Sequence, residues 1–254
     1  MQSLKEIVAV LEAAGCVAAD EEAAELASCA RSDAELAAMT ARRAEGEPLA
    51  WITGRARFCG LAVGVTEGVY VPRWQSESLA RMAAECLPAG GIGVDLCTGS
   101  GAIGLVMAAA RPAATVVGTE LDPSAAACAR RNGLRVYLGD LADPLPGFMA
   151  GRVDVMVGVL PYVPPEAFHL LPRDVVCFEP RLALDGGRGG TELLSAAVTQ
   201  GIRWLRSGGR LLLECGEDQV EKLRACFLDA GYDELEPVTD GDGDRRGCSG
   251  RRPS

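Results

Sequence analysis

The chain has 254 residues, room for one large domain or for a core with a smaller appendage, and its 48% hydrophobic and 24% charged residues are ordinary for a globular protein. A formal net charge of −10 argues against a broad surface for nucleic acid or anionic membrane, and no apolar run approaches the ~20 residues that span a bilayer. Ten cysteines include no C-x-x-C pair and the one histidine is His169, so no metal site is expected; Cys59, Cys97, Cys128, Cys177, Cys215 and Cys226 stand in apolar settings, where a thiol acts as a small hydrophobe.

The opening MQSLKEIVAVLEAAG carries acids on an amphipathic period and does not have the pattern of a secretory leader, so a cytoplasmic protein is expected. Residues 3–45 keep helical spacing through Leu4, Val8, Leu11, Leu26, Leu36 and Met39, with Ser32 as a cap, which predicts two or three helices in a small domain over 1–46. Residues 49–72 switch to strand-like alternation punctuated by Gly54, Gly60 and Gly68, giving a β-hairpin linker over 47–76. From 77 to 254 strands and helices alternate: helix 79–87, strand 93–96, helix 101–110, strand 115–121, helix 123–132, strand 135–138, strand 153–159, helix 191–206, strand 210–215, helix 219–230 and a weak terminal β region. Short loops between such units imply an α/β fold with a doubly wound, mostly parallel sheet. The end of the chain, DGDGDRRGCSGR (240–251), imitates a calcium loop but has Arg245 where Gly is needed and no Glu at the twelfth position. Its Arg245, Arg246, Arg251 and Arg252 follow Asp240, Asp242 and Asp244, which predicts a solvated or frayed end.

The chemistry concentrates at strand ends. VDLCTGSGAIGL (94–105) is a strand, a turn and a helix start, with Asp95 and Cys97 leading into Gly99 and Gly101, whose backbone can approach a ligand closely. The strand at 115–121 ends in Glu120 and Leu121, where a carboxylate can accept ribose hydroxyls. The next ends in Asp140 and Leu141, where a carboxylate can accept an adenine amino group. Three acids at three consecutive strand ends point to S-adenosylmethionine (SAM).

In combination and order, GEPLAWITGRARFCGLAVGV, GVYVPR, DLCTGSGAIGL, FEPRLALDGG and WLRSGGRLLLECGEDQ resemble the HemK/PrmC-type protein-glutamine N-methyltransferases, actinobacterial-type paralogues in particular, over residues 2–240 or so. The resemblance implies a class I SAM-dependent methyltransferase: a Rossmann-like, doubly wound, mostly parallel seven-stranded sheet behind a helical domain, with Asp95, Gly99, Gly101, Glu120 and Asp140 lining the SAM pocket. The family's N-P-P-Y, whose Asn side chain and following carbonyl hold a planar amide, falls on Val159, Leu160, Pro161 and Tyr162 here; Pro161 and Tyr162 match. Its P-R-P-E-T-E falls on Pro72, Arg73, Trp74, Gln75, Ser76 and Glu77. Without the Asn, methylation of a release-factor glutamine is not expected; the acceptor expected is a small molecule, as in specialised metabolism, or another protein group. Trp74 serves either as a face for the sulfonium or as a packing anchor. A second reading makes SAM itself the substrate, its aminobutyrate arm cyclising with loss of methylthioadenosine; Tyr162, His169 and Glu77 are then the candidate bases. A third is a SAM-binding protein without catalysis. No nucleic-acid or membrane partner is expected.

Overall fold

The structure, a computed structural model, describes residues 3–254; Met1 and Gln2, the start of the expected helical domain, lie outside the described residues. Three helices come first: α1 (Leu4–Ala13), α2 (Ala19–Cys29) and α3 (Asp33–Ala44). Ser3 and Glu6 close a reciprocal capping box on α1, and Ser32 accepts the Glu35 N–H at 3.2 Å to start α3. Each helix turns one apolar stripe inward, so that Ile7, Leu11, Ala23, Leu26 and Met39 form a small core of their own.

The linker departs from the expected hairpin at its start. Residues 49–53 form a short helix, α4 (Leu49–Thr53), which ends on Gly54 at φ 74°. Tertiary packing overrides the strand-like alternation there: the Trp51 ring is buried and its Nε1–H donates to the Val69 carbonyl at 2.9 Å. The hairpin proper is β1 (Arg55–Phe58) against β2 (Leu61–Gly64), joined by a turn with Cys59 and Gly60 at positive φ.

The remainder builds a seven-stranded sheet from β3 (Ile92–Leu96), β4 (Thr115–Glu120), β5 (Arg135–Leu138), β6 (Val153–Gly158), β7 (Leu205–Glu214), β8 (Asp233–Thr239) and β9 (Arg245–Arg251). The spatial order is β5-β4-β3-β6-β7-β9-β8; the first five are parallel and the last two antiparallel to their neighbours. Helices α5 (Glu77–Cys86), α6 (Ala102–Ala110), α7 (Pro123–Arg131), α8 (Arg173–Phe178), α9 (Glu192–Trp204) and α10 (Val220–Asp229) fill the connections. The central strands β3, β4 and β6 are buried on both faces along most of their length, as parallel strands under helices must be. Val94, Leu96, Met156, Leu211 and Leu213 pack one way, with Leu194, Val198, Leu223 and Phe227. Val155, Val157 and Leu212 pack the other way, with Leu79, Ala83, Ile103 and Met107. Between β3 and β6 the chain reverses its direction of travel across the sheet, which leaves a crevice at their carboxyl ends.

The chain's end is not a frayed tail. β9 is inserted between β7 and β8, with Cys248 and Ser249 fully buried. The charges that nearly cancel along the sequence do so by pairing: Arg246 meets Asp240 at 2.6 Å and Asp244 at 3.0 Å, and Arg251 meets Asp233 at 3.3 Å. The long segment after β6 is also ordered into the fold. Phe178 of α8 packs edge-on to Trp51, and Arg43 of α3 reaches Asp174 at 3.9 Å. No helix among the described residues is long and apolar enough to cross a membrane.

Candidate active site

A cavity of about 740 Å³ runs along the carboxyl ends of β3, β4 and β6 and on to the tip of β7. At one end, the turn after β3 is pinned by Asp95. Its buried Oδ2 accepts from Thr98 Oγ1 at 2.5 Å and from the Gly104 N–H at 2.9 Å, and burial pushes its carboxyl up to about 7. Cys97 holds a positive φ of 51°, and Gly99 and Gly101 follow at 57° and 88°. Gly99 faces open space where a side chain would stand, whereas Gly101 caps α6 against Ala129 and does not line the cavity. The Cys97 thiol is pushed up by burial and by the neighbouring acids, so it stays neutral.

Glu120 lines the cavity at the tip of β4 with three backbone N–H donors on it: Leu121 at 2.8 Å and Asp122 at 3.0 Å on Oε1, and Gly99 at 2.8 Å on Oε2. Burial raises its carboxyl and the three amides pull it back. Leu121, Asp140 and Leu141 complete this end. With the open space at Gly99 and two acids in reach, these residues fit a nucleoside with a charged arm.

At the other end, Val159 to Tyr162 form one wall. Leu160 turns into the core at 2% exposure, and Val159 packs beside the Val155–Val157 face. The Tyr162 hydroxyl donates to Glu214 Oε1 at 3.2 Å, and the Tyr162 carbonyl accepts from Gln219 Nε2 at 2.9 Å. Burial drives the phenol pKa well above its usual range, so Tyr162 is a hydrogen-bond group here and not a base. Trp74 stands at the rim, 60% exposed. Arg73 lines the cavity between the Tyr70 ring, 5.2 Å away, and the buried Glu179 carboxylate with which it pairs. Burial pushes Glu179 up to about 7 against the pull of Arg73.

Besides Gly101, two expected site residues are not brought in. Glu77 opens α5 facing the hairpin, where it accepts the Cys59 N–H at 2.8 Å and pairs with Arg81. His169 sits exposed in the 3-10 turn Pro165–Leu170. Neither lines the cavity. Conversely, Ser76, Glu214 and Arg246 do line it and escaped the sequence reading. Glu214 carried the same signal as Glu120, an acid closing an apolar run at a strand's carboxyl end. No group of three or more His, Cys, Asp or Glu side chains among the described residues is placed to hold a metal.

No family model matches the chain. It is 36% identical over 219 residues to the release factor glutamine methyltransferase of Geobacter sulfurreducens, across 84% of this chain and 76% of that one. It is also 36% identical over 201 residues to the 4-amino-L-phenylalanine/4-methylamino-L-phenylalanine methyltransferase of Streptomyces pristinaespiralis, across 75% and 68% of the two chains. Among solved structures, a methyltransferase from Pyrococcus furiosus superposes with a TM-score of 0.56 at 19% identity, covering 77% of this chain and 91% of that one, a likeness of fold alone.

Proposed function

The chain belongs to the HemK/PrmC-type family of SAM-dependent methyltransferases, and from that premise we propose that its methyl acceptor is a small molecule and not a release-factor glutamine. The observation that carries this reading is the wall at 159–162. A glutamine amide becomes a usable nucleophile only when polar groups fix its plane, and the side chains at Val159 and Leu160 offer none: one is an isopropyl group against the sheet, the other is inside the core. Losing one such orienting bond in a desolvated site costs about 1–3 kcal/mol, and a mis-aimed nucleophile costs more. The Streptomyces relative, named for a free amino acid, agrees with a small acceptor.

SAM supplies an electrophilic methyl: the acceptor's lone pair takes it as the C–S bond breaks toward sulfur, leaving S-adenosylhomocysteine, and the acceptor gives up a proton. This chain's residues bind and orient. Glu120 accepts a ribose hydroxyl, Asp140 an adenine amino group, and the Gly99 turn lets the backbone approach the charged arm. Trp74 presents an aromatic face at the mouth, where a cation gains from the ring quadrupole. The apolar wall and Tyr162 exclude water beside the transferred methyl.

The test is methyl-labelled SAM offered in three arms: with a release factor carrying its Gly-Gly-Gln segment, with small amines including 4-amino-L-phenylalanine, and with no acceptor. Labelled small molecules and adenosylhomocysteine are expected in the second arm only. Appreciable labelling of the release factor overturns the proposal. Methylthioadenosine from SAM alone replaces it with cyclisation of the aminobutyrate arm.

A further inference from the structure

The cavity is lined by more acids than bases. Glu120 and Asp140 stand at one end and Asp174 and Asp185 come from the segment after β6, while its lining cations among the described residues are Arg73 and Arg246. The two arginines differ in how far they are already engaged. Arg246 donates from Nε to Asp240 at 2.6 Å and from Nη2 to Asp244 at 3.0 Å, so it meets two carboxylates. Arg73 meets one, Glu179, and donates to it from Nη2; neither Nε nor Nη1 makes a hydrogen bond. The Tyr70 hydroxyl favours the charged guanidinium without meeting hydrogen-bond geometry. The Arg73 side chain is 29% exposed and lines the cavity, whereas the Glu179 side chain is sealed at 1%.

A guanidinium has two edges that present paired N–H groups, and both edges share Nη2. Glu179 occupies one hydrogen of Nη2, so the other edge keeps its pair. Such a pair matches the two oxygens of a planar carboxylate, a fit that an ammonium ion does not offer. The edge is also held before any ligand arrives. The Tyr70 ring centroid lies 5.2 Å from Cζ, Glu179 fixes one nitrogen, and the Arg73 carbonyl accepts the Ser76 N–H at 3.1 Å at the turn into α5. A side chain fixed in advance loses less entropy on binding. Glu179 neutralises the pair, so an anion gains here from fork geometry in a desolvated cavity, and beside the other acids it is repelled.

We propose that the open edge of Arg73 is a carboxylate-binding subsite of the cavity, with Glu179 and Tyr70 as the residues that position it. Two molecules in the reaction can bring the carboxylate: SAM, on its aminobutyrate arm, or the methyl acceptor. With SAM as the source, the inference needs only the family's cosubstrate. With the acceptor as the source, it rests on the small-molecule reading and narrows it to acceptors that carry an acid.

Calorimetry distinguishes the sources. One pair of titrations compares S-adenosylhomocysteine with its decarboxylated analogue on the protein alone. The other compares 3-phenylpropionate with 3-phenylpropionamide on the protein loaded with S-adenosylhomocysteine. In one of the pairs the carboxylate is expected to bind at least about tenfold more tightly, the worth of a charge-assisted hydrogen bond, and the pair that responds identifies the source. Arg73→Gln should cut that preference to about twofold or less; Arg73→Lys, which keeps the charge without the fork, should leave roughly threefold. Glu179→Gln removes the competing charge and keeps the shape, so it should raise the preference, which a merely structural role for Glu179 would not do. Wild-type protein with no preference in either pair overturns the subsite whichever variants fold. So does a preference that Arg73→Gln leaves unchanged at an unaltered melting temperature, or that Arg73→Lys leaves unchanged where the Gln variant does not fold. Labelling of a release-factor glutamine would sink the small-molecule reading while leaving both binding ratios untouched, so the two failures are separable.

Discussion

Glu120→Ala separates the brace that this carboxylate gives the glycine turn from the ribose contact proposed for it. An ionised carboxylate has about four lone-pair sites. Three are occupied by the N–H groups of Gly99, Leu121 and Asp122 at 2.8, 2.8 and 3.0 Å. Only one site, on Oε2, is left for a ligand, so in the proposed role Glu120 would take one ribose hydroxyl at full strength and not both. That bond is charge-assisted and partly desolvated, worth about 1.5–3 kcal/mol, and its loss weakens binding about 10- to 150-fold. The variant also frees three amides. Leu121 is 48% exposed and water replaces its partner readily; Gly99 and Asp122 are half-buried, so the net cost to stability is about 1–2 kcal/mol. Calorimetric titration with S-adenosylhomocysteine measures the first effect and thermal denaturation the second. Glu120→Gln, which keeps one acceptor oxygen, should fall between wild type and alanine in both. A lower melting temperature with unchanged ligand affinity would leave Glu120 as a brace for the glycine turn and remove it from ribose recognition.

Three further outcomes follow from the same geometry. Val159→Asn puts an amide without a partner beside the apolar Val155–Val157 face, so it should lower stability by about 1–3 kcal/mol and depress the native transfer without creating glutamine methylation; release-factor labelling by the variant above the wild-type level would refute this. Asp95 is raised from 3.8 to about 7, so the folded state holds its proton more tightly than the unfolded chain, and the stability it contributes is complete below about pH 3.8 and lost as pH rises through about 7. Asp95→Asn, which keeps an oxygen for the Gly104 N–H, should therefore lose less melting temperature than wild type between about pH 6 and about pH 8, and parallel curves would refute the assignment. Arg43 pairs with Glu22 at 2.6 Å and reaches Asp174 with its side chain only 11% exposed, so Arg43→Ala should cost about 2–4 kcal/mol in denaturant unfolding by leaving Glu22 uncompensated; a cost below about 0.5 kcal/mol would mark the pair as a surface contact.

The parallel sheet was legible because strands buried on both faces must be written in apolar runs, and such runs as VDVMVG and TVVGTE admit few other readings. The acid at the tip of β4 was legible for the same reason: Glu120 stands out as a charge that ends a buried element, and Asp140 follows the short edge strand β5. What failed was direction. Glu77 and His169 are close to the site along the chain, but the first points at the hairpin turn and the second at solvent, and no spacing rule distinguishes those orientations from an inward one. The helix at 49–53 was hidden because a single buried indole decides it, not a period. The β9 strand was legible only as part of a weak terminal β region, and residues 240–251 read as a frayed end, because their charges cancel locally, which in sequence looks like a solvated tail and in the structure is a set of ion pairs across a turn.

The altered wall could arise without loss of the fold because position and recognition are held by different residues. The loop after β6 is fixed at Tyr162: its hydroxyl on Glu214, its carbonyl on Gln219, and its backbone against Gly186, where any side chain would stand 2.6 Å from the Tyr162 Cα. None of these contacts passes through 159 or 160. Val159 and Leu160 need only be apolar and of suitable size, since one lies on the sheet and the other fills the core. An exchange at those two positions therefore changes what the wall recognises while leaving where it stands.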